Sequence, residues 1–203
     1  MVDSYTTIQR PSRAELRILG SRFIALAEPI QTKQDPATVL ERLKREYFDA
    51  THHCYAYRLG PTGDLFRSND NGEPAGSAGK PILAAIERVG LTNVMVVVIR
   101  FFGGTKLGVR GLVHAYGDVA TSALLAAEPL VCYASDTLVV VFPHNLVSNV
   151  MHVVGKTGAR IAETTYDEDV HLVLEIRRSK TDELKELLVE RTSGNITVKL
   201  RDR

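Results

Sequence analysis

Histidine and cysteine stand side by side at Thr51-His52-His53-Cys54, just before an apolar run, and carboxylates and amides crowd the stretch Arg67–Lys80. His and Cys are the usual metal ligands, and a cysteine beside a histidine base is also the makeup of a nucleophile. If this segment is a strand, adjacent side chains point to opposite faces, so only His52 and Cys54 share one. A structural zinc needs four ligands, and no second His/Cys pair has suitable spacing, so the reading is no metal and no cofactor. Asp70 and Glu73 are the acid/base candidates, and carboxylates of this kind also hold divalent cations. The candidate catalytic set is therefore His52, Cys54, Asp70 and Glu73. The plainer alternatives are a hydrogen-bonded histidine beside a buried thiol, and an Asp70-Asn71 pair that fixes a turn by local hydrogen bonds. No Gly-x-Ser-x-Gly elbow is present.

Between Gly72 and Pro81 lie three glycines and two prolines, which exclude a regular element and predict a shaped loop leading into a helix. Gly72, Pro74, Gly76, Gly79 and Lys80 shape it. Ser77 or Gly79 is placed to cap the helix, whose free N–H groups would make an anion site. A second turn, Arg100-Phe101-Phe102-Gly103-Gly104-Thr105-Lys106-Leu107-Gly108-Val109-Arg110-Gly111, joins a buried strand to a helix. It is neither a Walker loop nor a dinucleotide fingerprint, because Gly-Lys-Ser/Thr is lacking and the glycine spacing is wrong. Arg100, Lys106, Arg110 and His114 supply positive charge beside exposed backbone, and Phe101 or Phe102 could stack a base, a combination that suits single-stranded RNA. The candidate phosphate- and RNA-binding residues are Arg100, Phe102, Gly103, Gly104, Lys106, Gly108 and Arg110. The plainer alternative is that the phenylalanines finish the core.

The elements that position these segments read as follows. Glu15–Leu19 and Arg22–Ile30 are strands about a Gly20-Ser21 turn, and Asp35-Pro36 opens a helix with Asp35 as N-cap and Val39, Leu40, Leu43 and Tyr47 on one face. Cys54–Leu59 and Leu65–Arg67 form a hairpin, Pro81–Val89 is a short helix, Asn93–Phe102 a strand buried on both faces, and Leu112–Ala127 an Ala-rich helix. The second half reads Asp136–Phe142 strand, Asn145–Thr157 helix, Arg160–Tyr166 and Val170–Arg177 hairpin, Thr181–Thr192 helix and Ile196–Leu200 strand. That order, β-α-β-β-α-β, is the ferredoxin-like split unit. The fold class is thus α+β in two domains, 1–130 and 135–203, with the boundary near Glu128–Ser135.

Composition bounds the function. With 44% apolar and 24% charged residues the 203-residue chain is globular rather than disordered. No apolar run approaches the roughly 20 residues of a bilayer span, and Met1–Pro11 has no signal-like apolar stretch, so the expectation is a cytoplasmic protein with no membrane partner. Two cysteines, Cys54 and Cys132, make no disulfide framework. Net charge is +1, with 15 Lys/Arg against 13 Asp/Glu over residues 1–130 and 10 against 11 over the rest. Neither half is a polycation, so nucleic acid is permitted but not demanded.

His52–Tyr57, Asp70–Pro81, Asn93-Val94 and Arg100–Gly108 occur in the order and with the wording of the YigZ/IMPACT family, which the chain resembles over residues of roughly 20–126. The resemblance implies an N-terminal β-α domain similar to the second domain of a small-subunit ribosomal protein. It also implies a ferredoxin-like C-terminal domain resembling one of elongation factor G. Eukaryotic relatives regulate translation by competing for the activator of a kinase that phosphorylates an initiation factor, with the help of an RWD-type domain that this sequence lacks. The expectation is therefore a translation-linked regulator that binds RNA, the ribosome or a protein of translation control. The alternative is a hydrolase or phosphate-handling enzyme using Asp70 and Glu73 with His52 or Cys54. This chain departs from the family pattern at Asn71 (usually Asp), Ser77 (Thr), Ile99 (Thr), Phe101 (Tyr) and Arg110 (Gly). Asn71 weakens a paired-carboxylate mechanism, and Arg110 adds a charge that favours an anionic partner.

Overall fold

In the computed structural model, which describes residues 3–201, the chain divides into two compact units. Tyr5–Cys132 forms one; the other runs from Tyr133 onward and includes Asp3 and Ser4. The N-terminal reading at Met1 and Val2 lies outside the described residues.

The larger unit is built on a five-stranded antiparallel sheet in the order β2-β3-β6-β4-β5, with β2 Ser12–Ile18, β3 Ser21–Pro29, β4 His52–Leu59, β5 Leu65–Asn69 and β6 Val94–Phe101. Strand β6 lies at its centre and is buried from Val94 to Arg100, which explains its unbroken apolar reading. Its alternate residues serve different cores. Val94, Val96 and Val98 join Ala25, Ala27, Cys54 and Ala56 beneath helices α2 (Gly79–Val89) and α3 (Gly108–Leu125). Met95, Val97 and Ile99 face the opposite side, with Leu43, Leu40 and Val39 of α1 (Asp35–Glu46). Small side chains on the first face let two helices lie close to the sheet. Leu112, Ala115, Tyr116, Val119, Ala120 and Ala123 recur at helical spacing and bury one stripe of α3.

The second unit has strands β8 (Ser135–Phe142), β9 (Arg160–Tyr166), β10 (Val170–Arg177) and β11 (Thr197–Leu200) in the order β11-β8-β10-β9, with helices α4 (Val147–Thr157) and α5 (Thr181–Arg191). This is the antiparallel ferredoxin-like arrangement expected from the element order. Its core gathers Leu138, Val140, Phe142, Leu172, Leu174, Val153, Leu184 and Leu188. Among the described residues no helix is long and apolar enough to cross a membrane.

Several local expectations need correction. The hairpin turn is Leu19-Gly20 rather than Gly20-Ser21, with φ positive at both residues, as a two-residue turn between right-twisted strands requires. Asp35 is already helical; Gln34 is the N-cap, and the Asp35 carboxylate instead accepts the N–H groups of Gln31 and Thr32. Helix α3 begins at Gly108, four residues before Leu112, because a glycine-rich first turn carries no apolar periodicity. Strands β1 (Ser4–Ile8) and β7 (Pro129–Tyr133) pair as a two-stranded ribbon that the sequence reading left as terminus and linker. Pro129 does end the helical pattern, but a proline is also tolerated at the first position of a strand.

One close approach fixes the end of the sheet that carries the glycine turn. A Cβ on Gly103 would lie 1.9 Å from the Gly20 carbonyl carbon, so only glycine fits where the two turns touch. Gly103→Ala is expected to lower folding stability by at least about 1–3 kcal/mol, seen as a fall in the denaturant midpoint with the slope unchanged.

Candidate functional site

Register places three side chains in one row on the helix-covered face: Phe23 pairs with Arg100, and Arg100 with His52. Cys54, two residues on, occupies the next row opposite Val98. Over this row come Glu73 from the Asp70–Lys80 loop and Tyr116 from α3, two residues separated by 43 positions. Arg100 Nη1 donates to Glu73 Oε1 at 2.6 Å, and the Tyr116 hydroxyl donates to the same oxygen at 2.7 Å. The Arg100 and Glu73 side chains are only 6% and 3% exposed, so each charge depends on the other. Breaking a buried pair from one side generally costs about 3–5 kcal/mol.

Arg100 Nη2 lies 3.4 Å from Ser21 Oγ, which also accepts the Gly103 N–H. Its guanidinium carbon sits 5.4 Å from the Phe23 ring centre and 5.5 Å from that of Phe102, and its Nε has no hydrogen-bond partner. Arg100 was expected to meet phosphate directly; its burial and its bond to Glu73 turn that charge inward. Phe102, at 48% exposure, with Gly103, Gly104, Lys106, Gly108 and Arg110, lies on the surface. Phe101 is half-buried under Arg22 and packs on the opposite core.

The structure brings together three of the four catalytic candidates, and gives them little to do chemically. His52 Nε2 is 3.9 Å from Glu73 Oε1, while Nδ1 is 2.8 Å from the Asn71 carbonyl. A carbonyl only accepts, so Nδ1 carries a hydrogen, and the Nε2–Oε1 separation is beyond hydrogen-bond reach. Burial pushes the Cys54 thiol up to about 12, and the thiol rests 2.9 Å from the Asp70 carbonyl and 3.3 Å from the Tyr116 hydroxyl. Tyr116 is raised as well, again chiefly by burial. At neutral pH the Cys54 sulfur is therefore a thiol and not a thiolate.

Asp70 has a different task. Its carboxylate accepts the N–H groups of Gly76, Ala78 and Gly79 at 2.8, 3.0 and 2.8 Å. Burial pulls its pKa upward, but these amides, with Lys80 nearby, outweigh it and hold it below the ordinary carboxylate range. The expected anion site at the start of α2 is thus filled from within, and the N-cap position is held by Ala78 rather than by Ser77 or Gly79. Gly79 is required for another reason, since its Cβ would meet the Asn69 backbone nitrogen at 2.7 Å. Gly72 and Gly76 have positive φ at the bends flanking Pro74, and Lys80 projects outward. Asn71 accepts the His53 N–H through Oδ1, a purely structural bond that an amide makes as well as a carboxylate. Among the described residues no three His, Cys, Asp or Glu side chains gather in a way that could hold a metal ion.

Sequence reasoning missed Tyr116, Phe23 and Ser21. Tyr116 lies on the apolar stripe of α3 and reads as core; the one clue was a hydroxyl that must find a partner when buried.

The Impact N-terminal domain family matches residues 19–124, and a domain of unknown function, DUF1949, matches residues 140–195. A Haemophilus influenzae IMPACT family member is 31% identical over 188 residues, covering 92% of this chain and 91% of its own. The chain belongs to the IMPACT family. The Bacillus subtilis member YvyE is 28% identical over 199 residues, covering 98% and 92% of the two chains. A solved structure described as that of a hypothetical protein superposes over the whole of both chains with TM-score 0.78 at 26% identity. The IMPACT-family match covers both blocks that meet at the Glu73–Arg100 pair.

His53 points to the other face and is 7% exposed, with Nε2 unpartnered. Burial lowers its pKa from 6.5, helped by Lys44 and His52 and opposed by a hydrogen bond to the Tyr47 backbone. The unfolded chain therefore takes up this proton first. The stabilising contribution is full above 6.5 and is lost as pH falls toward the depressed folded value. His53→Gln is expected to flatten the dependence of unfolding free energy on pH below 6.5, measured by denaturant titration at a series of pH values. An unaltered slope would contradict the assignment.

Proposed function

We propose that this IMPACT-family chain is a translation-linked binding protein whose Phe102–Arg110 turn contacts single-stranded RNA, free or displayed by the ribosome. One observation carries the reading. From Arg100 to Gly117 the sequence has no acidic residue, and after Arg100 is neutralised by Glu73 the stretch exposes two cations, Lys106 and Arg110, with His114, the Phe102 ring and the backbone of Gly103, Gly104 and Gly108. Cations for phosphate beside a ring for a base form the sequence-tolerant mode of single-strand recognition. Arg110, which stands where the family pattern has glycine, strengthens that charge. The connection to translation rests on the resemblance to eukaryotic members that regulate it. The hydrolase alternative has His52 near Glu73 in its favour, but it lacks an ionised nucleophile.

Binding of a short single-stranded RNA, titrated against salt with double-stranded DNA as control, tests this. Affinity should fall with rising salt, and Lys106→Ala with Arg110→Ala should reduce the slope of log K against log salt by about 1.4, at roughly 0.7 per lost phosphate contact. Phe102→Ala should cost about 1–3 kcal/mol of binding with the slope intact. No RNA binding at low salt would sink the proposal and move the weight to a protein partner.

A further inference from the structure

Arg100 is an odd residue to bury. Arginine carries five donors, and here Nη1 makes one bond to Glu73, Nη2 reaches Ser21 Oγ only at 3.4 Å, and Nε has no partner. A lysine would carry the same charge opposite Glu73 with three donors to satisfy instead of five. What arginine adds is a flat, delocalised plate, and both of its ring neighbours lie at stacking or cation–π distance: Phe23 at 5.4 Å from within the core and Phe102 at 5.5 Å from the surface. Phe102 is otherwise tied only through its backbone, whose N–H donates to Thr51 Oγ1 at 3.0 Å. The residue is 48% exposed, so the guanidinium is one of the groups on its covered side that can hold the ring.

We propose that Arg100 is a positioning residue: clamped by Glu73 and Tyr116, its guanidinium is the support that pre-sets the Phe102 ring for stacking on an RNA base. By this route the Asp70–Lys80 loop governs RNA affinity without touching RNA. Its Asp70 carboxylate gathers the loop onto the start of α2, and the gathered loop delivers Glu73 to Arg100. Holding a ring in its bound rotamer raises affinity by removing an ordering cost from the binding step. The inference rests on the RNA reading above, and it assigns Glu73 and Arg100 roles that a direct phosphate contact would not give them.

The test is a double-mutant cycle on the full chain, with an oligouridylate of about ten nucleotides as probe. Arg100→Lys retains the charge opposite Glu73 and removes the plate. It should weaken binding roughly tenfold with the salt slope unchanged. In that background Phe102→Ala should cost almost nothing more, whereas Lys106→Ala should keep its full effect. The sequence has no tryptophan, so Phe102→Trp places a single reporter at the ring position. Its fluorescence anisotropy should fall when Arg100→Lys is added, in the absence of RNA. Tyr116→Phe, which deletes one hydroxyl from the clamp, should act in the same direction more weakly and serves if Arg100→Lys fails to fold. Additive costs for Arg100→Lys and Phe102→Ala, or an unchanged anisotropy, would overturn this inference and leave RNA binding standing. A wild-type chain that does not bind the oligouridylate overturns the RNA reading and this inference with it.

Discussion

The larger unit is organised around a charge that has been taken out of water. Arg100 sits on the central strand of a sheet, facing a core of valine, alanine and phenylalanine, where an unpaired guanidinium would be prohibitively costly. Glu73 makes the position tenable, and it can do so only if a loop of irregular backbone is brought to one place. Asp70 closes that loop by binding three amides, Gly79 permits the approach to Asn69, and Tyr116 fixes the shared carboxylate oxygen. The long run Asp70–Pro81 is thus one device for delivering a carboxylate to an arginine.

The pair also separates inward-facing from outward-facing charge. Below it, burial raises the pKa of Cys54 and of Tyr116 and so keeps both groups neutral. Above it, the stretch from Arg100 to Gly117 carries no acidic side chain, and Lys106 and Arg110 are exposed on it. Contact between Gly103 and Gly20 and the shared Ser21 hydroxyl pin this turn to its neighbour.

Much of this was legible in the sequence. The β-branched run of β6, the alternation around it and the β-α-β-β-α-β order gave the two-domain α+β fold, and glycine and proline punctuation marked both special loops. Regions without periodicity were harder: the β1/β7 ribbon and the glycine-rich first turn of α3 leave no pattern of period 2 or 3.6. At the site, residue types identified His52, Cys54, Asp70 and Glu73 as polar groups needing an explanation. What Glu73 is bonded to depended on burial and on partners 27 and 43 residues away, and spacing within a segment carries no such information. Arg100 is the clearest case, since a cation beside a glycine turn reads as a phosphate ligand until its neighbour across the sheet end is known.

Native-state hydrogen exchange on the intact chain, with and without Glu73→Gln, tests whether the pair organises this end of the molecule. The amides of Gly76, Ala78 and Gly79, which bond to Asp70, and that of Gly103, which bonds to Ser21, should lose protection together. Those of Val140, Leu172 and Leu174 in the ferredoxin-like unit should keep theirs. Unchanged exchange at Gly76–Gly79 and Gly103, or a uniform loss across both units, would contradict the account.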